Sequence, residues 1–157
     1  MSVLKKYPSL ECIVDFKCAN VLDGFQKSFK IERIEAEKIF NEMLKWMWFC
    51  SSPKTTGARV IDAPILIIDE MWHTFILYTK EYFYFCDKFF GHYMHHSPTT
   101  SEDLDKYKKL SETDLLESKR TQYELVYDLL GKDTFITWYH EFPEKYSAEK
   151  ILKIRRR

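Results

Sequence analysis

The chain has 157 residues with 24 basic and 24 acidic side chains, so its formal net charge is zero. This balance excludes the strongly basic surface of a general nucleic-acid-binding protein, and we expect no nucleic-acid partner. Hydrophobic residues make up 45% of the chain and aromatic residues 17%, which is enough for a packed core and excludes a disordered protein. The length predicts a single domain over residues 1–157, with irregular ends at 1–10 and 155–157.

No segment has the pattern of a membrane span or a secretory signal. The apolar runs are shorter than the ~18 residues that a span needs, and the first residues lack the apolar core of a signal. The cysteines form no C-x-x-C pair: they are Cys12, Cys18, Cys50 and Cys86. We therefore expect free thiols, a cytoplasmic location and no membrane partner, although secretion by a signal-less route would leave the same pattern.

The apolar periodicity predicts an all-α bundle of five or six helices. The i, i+3, i+4, i+7 pattern is clearest over residues 32–49 and weaker over residues 14–29, where Gly24 interrupts it. Residues 51–63 have the composition of a loop. The β-branched run at 64–68 is interpreted as a buried extended segment.

The second half of the chain predicts shorter helices between turn signals. A helical pattern continues from Ser101 to Gly131, with a break near residues 111–114. A short helix is expected after Asp133 or Thr134, and Ser147 is expected to cap a final one over 148–154.

The central element is a predicted helix over residues 69–90. Asp69 has the residue type of an N-cap, and Gly91 is a natural stop. At 100° per residue, one stripe of this helix is strongly aromatic: Met71, Phe75, Tyr78, Tyr82, Phe85, Cys86 and Phe89. We expect this stripe to lie in the core, where the Cys86 thiol would be neutral and unreactive.

The run Asp69-Glu70-Met71-Trp72-His73, followed by Tyr82, Cys86, Phe90-Gly91 and His95-His96, resembles a known pattern. It is similar to the aspartate…tryptophan-histidine…tyrosine…cysteine…phenylalanine-glycine…histidine pattern of the glycine-rich domain-containing protein-like family, in particular its small bacterial members. The resemblance covers 28 residues and does not include the glycine-rich tail of the plant members. It implies a mostly helical module and marks Trp72, Tyr82, Cys86 and Gly91, with His73 and His95 or His96, as pattern positions.

Two groups of side chains beside this helix could bind a metal ion such as Zn or Fe. Asp69, Glu70 and His73 lie at its front; His92, His95 and His96 follow its end. The alternatives are a histidine oriented by Asp69 and a polar loop that is rich in histidine. Glu70-x-x-His73 also has the spacing of di-iron carboxylate bundles, but the chain has no second such motif.

Helix geometry predicts that these two groups are separate. A continuous helix places residues 73 and 90 about 25 Å apart, whereas the residues that follow can return at most ~17–21 Å. A shared site therefore requires a broken helix or a second chain packed antiparallel.

The function expected from the sequence is a helical module with a histidine-rich site that could bind a transition metal, with no assignable substrate. The alternative is a non-catalytic protein-interaction or regulatory module of the inhibitor type, with a second protein or a second copy as partner. Trp46, Trp48 and Tyr84 are the candidate contact residues, because Trp and Tyr are favoured at interfaces. No acid, base and pocket can be assembled, so an enzyme is disfavoured and no catalytic residue is assigned.

Overall fold

A computed structural model describes residues 5–55, 65–96 and 100–156. Its helices are α1 (Leu10–Val14), α2 (Ala19–Ser28), α3 (Arg33–Ser51), α4 (Leu66–Leu77), α5 (Thr79–Phe90), α6 (Ser101–Lys109), α7 (Glu112–Leu130), α8 (Lys132–Ile136), a π-helical turn (Thr137–Glu141), α9 (Phe142–Lys145) and α10 (Ala148–Ile154). The all-α class is confirmed, but these ranges contain more helices than the five or six predicted. None of the described helices is long and apolar enough to cross a membrane.

The core is built on α3, which matches the helix predicted over residues 32–49. Its inward stripe is fully buried at Ile39, Met43 and Met47. The stripe packs against α1, α2 and α4, as expected of an amphipathic helix that is stabilised mainly by tertiary burial. α3 is therefore the support on which α4 is held.

The prediction of one helix over residues 69–90 is wrong, because the chain divides at Tyr78 into α4 and α5. Tyr78 has ψ 70°, which is outside the helical range. Phe75 and Tyr82 would lie two turns apart on a straight helix, about 10 Å along the axis. Their ring centroids are instead only 5.0 Å apart, so α5 folds back beside α4.

The residue at the break, Tyr78, packs closely against Gly24 of α2. A β-carbon placed on Gly24 would lie 2.6 Å from Cε2 and 2.8 Å from Cζ of the Tyr78 ring, closer than real contacts allow. Gly24 weakened the helical pattern in the sequence, and this packing is the reason that a glycine is needed inside α2.

The start of α4 also differs from the prediction. The helix begins at Leu66, so the extended segment predicted over 64–68 is wrong for residues 66–68. Asp69 lies inside the first turn and is not the N-cap, which is Ile65. Its carboxylate is therefore available for contacts outside the helix. The loop predicted over 51–63 is described only as far as Thr55, and the rest of it lies outside the described residues.

Several predicted boundaries are confirmed in the second half of the chain. Ser111 caps α7 through the amide of Asp114, and Ser147 caps α10 through the amide of Lys150. Gly131 follows α7 with φ 92°. In the first half, the predicted helix over 14–29 is shorter in the structure, where it corresponds to α2, and a separate helix, α1, ends at Val14.

Residues 154–156 return to the first third of the chain. The amide of Lys30 donates to the carbonyl of Ile154 at 2.6 Å, and the amide of Arg156 donates to the carbonyl of Ser28 at 2.7 Å. The Arg155 guanidinium lies over the ring of Phe29, 4.9 Å from its centroid. This crossing places Arg155 beside the first turn of α4.

Candidate metal centre

Three side chains that the sequence placed in two separate groups meet at one point of the surface. They are Asp69 and His73 of α4 and His96 of the segment that follows α5, and one donor atom of each lies within 4.8 Å of the others. The prediction of two sites at the ends of one rigid helix is therefore wrong. The fold-back at Tyr78 shortens the path between residues 73 and 96.

Two of the three distances between the donor atoms are close to those around one metal ion, and the third, between His96 Nε2 and Asp69 Oδ1, is shorter. Two atoms that are each about 2.1 Å from a metal lie about 3.0 Å apart at a right angle and about 3.4 Å apart at a tetrahedral angle. The Nε2 atoms of His73 and His96 are 2.9 Å apart. Asp69 approaches His96 Nε2 at 2.7 Å through Oδ1 and His73 Nε2 at 3.4 Å through Oδ2.

The three groups have few protons to share in hydrogen bonds. Asp69 Oδ1 is buried and lies 2.7 Å from His96 Nε2, which can donate to it only when that nitrogen carries a proton. Each imidazole Nε2 carries at most one proton, so only one of the two histidine nitrogens can donate to the other. A cation between them would satisfy both nitrogens and the carboxylate together.

Helical spacing positions two of the three groups. His73 follows Asp69 by four residues, so both side chains lie on one face of α4, one turn apart. The side chain of His73 is 51% exposed, whereas that of Asp69 is 22% exposed. The site therefore opens to solvent on the side of His73.

A buried hydrogen-bond chain fixes the segment that presents His96. Trp72 Nε1 donates to Tyr82 Oη at 3.0 Å, and Tyr82 Oη donates to the carbonyl of Met94 at 2.5 Å. The Trp72 ring also stacks on His96, with centroids 4.3 Å apart and an interplanar angle of 13°. Gly91, with φ 70°, makes the turn that starts this segment.

Burial keeps this chain of side chains neutral. Desolvation raises the pKa of Tyr82 well above its usual range, so its hydroxyl stays protonated and can donate. Burial likewise raises the pKa of the Cys86 thiol, in line with the neutral cysteine expected from the sequence. Tyr82 and Cys86 serve the core and the Met94 turn, and neither lies among the three converging groups.

The remaining predicted metal ligands lie elsewhere. Glu70 is paired with Arg155 at 2.8 Å. The Nδ1 atom of His92 lies 3.0 Å from the carbonyl of Phe90. His95 is exposed and contacts the Tyr93 ring. Of the six candidate metal ligands, three therefore lie together in the described part of the chain.

The candidate interface residues are divided between core and surface. Trp46 is buried at 1% exposure and packs against Trp138, so it is not accessible to a partner in this structure. Trp48 is partly buried and donates to the carbonyl of Pro8. Tyr84 is exposed.

Arg155 was not among the residues that the sequence singled out. It pairs with Glu70, which lies 85 positions earlier in the chain, and no periodicity connects the two. Trp72 and Tyr82 were noticed as pattern positions, although their contact with the Met94 turn depends on the fold-back.

Comparison with known protein families corrects the resemblance drawn from residues 69–96. The family model that matches is a different one, and nothing indicates a glycine-rich domain family, so that assignment is wrong. Searches of curated proteins and of solved structures found no match. The matching model is described as UCP032817-like and covers residues 10–115, more than half of the chain; the chain belongs to that family.

Proposed function

We propose that the protein binds one divalent transition metal ion through Asp69, His73 and His96. The observation that supports this most strongly is the convergence of two imidazole nitrogens and a carboxylate within 4.8 Å of one another. Two nitrogen ligands and one oxygen ligand suit Zn²⁺ or Fe²⁺.

The surroundings of the three groups support the same proposal. Histidine ligands are usually held in place by neighbouring groups, and here the stacked Trp72 ring and the Tyr82–Met94 hydrogen bond hold His96. The buried Asp69 Oδ1 lies 2.7 Å from His96 Nε2, so a bound cation at this point would neutralise the carboxylate and be coordinated by the imidazole.

The test is calorimetric titration of tag-free, metal-stripped protein with Zn²⁺. We expect one equivalent to bind to the wild type, and we expect His73→Ala, His96→Ala and Asp69→Asn each to weaken binding by about 100-fold or more. His95→Ala is the matched control, because His95 is exposed in the same segment and should leave the affinity unchanged.

The proposal fails if the stripped wild type binds less than about a tenth of an equivalent of Zn²⁺, Fe²⁺ and Co²⁺ alike. It also fails if His95→Ala lowers the affinity as much as His96→Ala does. In that case the bound metal would be held by the histidine-rich segment and not by the three converging groups.

A second candidate function is self-association through α6, which has no buried residue. Its apolar residues Leu104 and Tyr107 lie at i, i+3 and are 52% and 38% exposed. Acidic residues occupy its first turn and lysines its last turn, so two copies in antiparallel contact would place opposite charges together. Light scattering tests this: Leu104→Glu should convert a wild-type dimer to a monomer, and a wild-type monomer at every concentration would contradict it.

A cytoplasmic location is part of the proposal. Cys12, Cys18 and Cys86 are free thiols in the structure, which is typical of a protein in a reducing compartment. Fractionation of cells that express the untagged protein would test this location.

A further inference from the structure

The contacts around Asp69, His73 and His96 indicate which further ligand a metal ion bound there would take. The inference in this section rests on the proposed function, because it concerns the same site. Three protein ligands do not complete the coordination of Zn²⁺ or Fe²⁺, which take four or more ligands. The remaining positions are filled either by a further side chain or by a molecule from solution.

No further side chain among residues 5–55, 65–96 and 100–156 joins the group of three. The nearest carboxylate in sequence, Glu70, is held by Arg155 at 2.8 Å. His92 faces the Phe90 carbonyl, and Cys86 is fully buried in the core. Because no side chain in these described ranges is placed to complete the coordination, we take the remaining positions to be filled from solution.

The contacts also define where such a molecule would enter. The Trp72 ring lies against one face of His96 and closes that side. The His73 side chain, in contrast, is 51% exposed. An external ligand would reach the ion past His73.

The local charge defines the chemical class of that ligand. A divalent ion contributes two positive charges and Asp69 one negative charge, while Glu70 and Arg155 cancel each other at 2.8 Å. The loaded site would therefore carry about one positive charge, which favours an anion over a neutral or cationic ligand.

We infer that the metal ion keeps an exchangeable coordination position beside His73 and binds a small monoanion there, such as a carboxylate. A site of this kind is typical of a metal that acts on an external ligand, whereas a purely structural metal is enclosed by protein ligands. The Glu70–Arg155 pair sets the local charge without touching the ion.

The test uses Co²⁺ as the metal, because its visible spectrum reports on its ligands. The Co²⁺-loaded wild type is titrated with sodium azide, with sodium perchlorate as the ionic-strength control. We expect a saturable spectral change with one azide per Co²⁺, which acetate displaces. If Co²⁺ binds at one equivalent and azide leaves its spectrum unchanged, this inference is overturned while the proposed function stands. If Co²⁺ itself does not bind, the proposed function fails.

Two charge variants distinguish electrostatic tuning from simple structural support. Arg155→Gln should tighten Co²⁺ binding and weaken azide binding, each about threefold, because the site becomes more negative. Glu70→Gln should do the reverse by a similar factor. If either variant weakens both affinities together, the pair supports the fold and the charge argument is wrong.

Discussion

Two carboxylates of this protein, Asp69 and Glu42, both lie beside nitrogen-bearing side chains, but their hydrogen bonding differs. Glu42, on α3, is buried at 6% exposure. Its Oε1 accepts from Lys45 Nζ at 3.0 Å, and its Oε2 accepts from Trp138 Nε1 at 2.8 Å. Lys45 also donates to Thr134 Oγ1 at 3.3 Å. Each carboxylate oxygen of Glu42 therefore accepts a hydrogen bond from its own donor.

The groups around Asp69 differ because the two imidazole nitrogens face each other at 2.9 Å as well as the carboxylate, and each nitrogen carries at most one proton. The comparison teaches that a buried charge is structural when each of its oxygens has its own donor. A carboxylate beside two nitrogens that compete for protons is instead suited to an external cation.

The largest effect on stability is expected from Glu42→Ala. This change leaves Lys45 in a mostly buried position without its counter-ion and Trp138 Nε1 without an acceptor. The free energy of unfolding should fall by about 3 kcal/mol, with Zn²⁺ affinity unchanged in the fraction that remains folded. Urea denaturation and calorimetry measure the two effects.

The control for Glu42→Ala is Glu141→Ala, which removes an exposed ion pair with Lys38. That change should alter the free energy of unfolding by less than about 1 kcal/mol. Equal losses in both variants would show that burial does not separate the Glu42 cluster from ordinary surface pairs.

Gly24→Ala is expected to have the next largest effect, because it displaces Tyr78 and so disturbs the division between α4 and α5. Overpacking should cost about 2 kcal/mol of stability, and metal binding should weaken because the fold-back brings His73 to His96. Adding Tyr78→Ala should recover part of the Gly24→Ala loss in urea denaturation. Strictly additive losses would mean that the two residues are not coupled.

Tyr82→Phe tests the connection between the core and the site. The change removes the acceptor of Trp72 Nε1 and the donor to the Met94 carbonyl, at a cost of about 1–2 kcal/mol. Looser support of His96 should weaken Zn²⁺ binding about tenfold. The control is Tyr84→Phe at an exposed position; a similar loss of affinity there would contradict a role for the buried chain.

Substitution of Glu35 should have the smallest effect on the free energy of unfolding, and this effect should depend on pH. Its Oε2 accepts from Tyr146 Oη at 2.6 Å and pairs with Lys145 Nζ at 2.8 Å. The hydrogen bond from Lys145, and then that from Tyr146, lowers the pKa of Glu35 below its ordinary value of 4.5. Because the folded state favours the ionised form, this stabilisation is present above pH 4.5 and is lost as the pH falls towards the lower folded pKa.

Glu35→Gln should therefore be less stable than the wild type by about 1 kcal/mol near pH 7. The difference should shrink in thermal unfolding at pH values below 4.5, the ordinary pKa of this group. A difference that grows with acidification would have the wrong sign for a lowered carboxyl pKa.

The elements that the sequence predicted well are those with a local physical cause. These are the apolar stripe of α3, the break near Ser111, the cap at Ser147 and the stop at Gly91, and each cause acts within a few residues of its position. The burial of the stripe that contains Phe75, Tyr82 and Phe85 was also correct, because its spacing holds within α4 and within α5.

The convergence of the site could not be predicted, because its cause is not local. Neither proline nor glycine occurs at residues 77–79, so no helix-breaking residue marks the division at Tyr78. The residue at the division, Tyr78, packs against Gly24, which lies more than 50 residues earlier in the chain. The distance argument assumed one continuous helix over residues 69–90, and the protein has two helices there.

The crossing of residues 154–156 over α2 has a consequence for folding during synthesis. Arg156 Nε donates to the carbonyl of Gln26, across a separation of 130 residues. At about 5–20 residues per second, a ribosome needs roughly 6–26 seconds to add that length of chain. Through this interval the α2 end, including Phe29, is without the segment that crosses it. α2 and α4 thus lack their contacts with Arg155 and Arg156 until residues 154–156 have been synthesised.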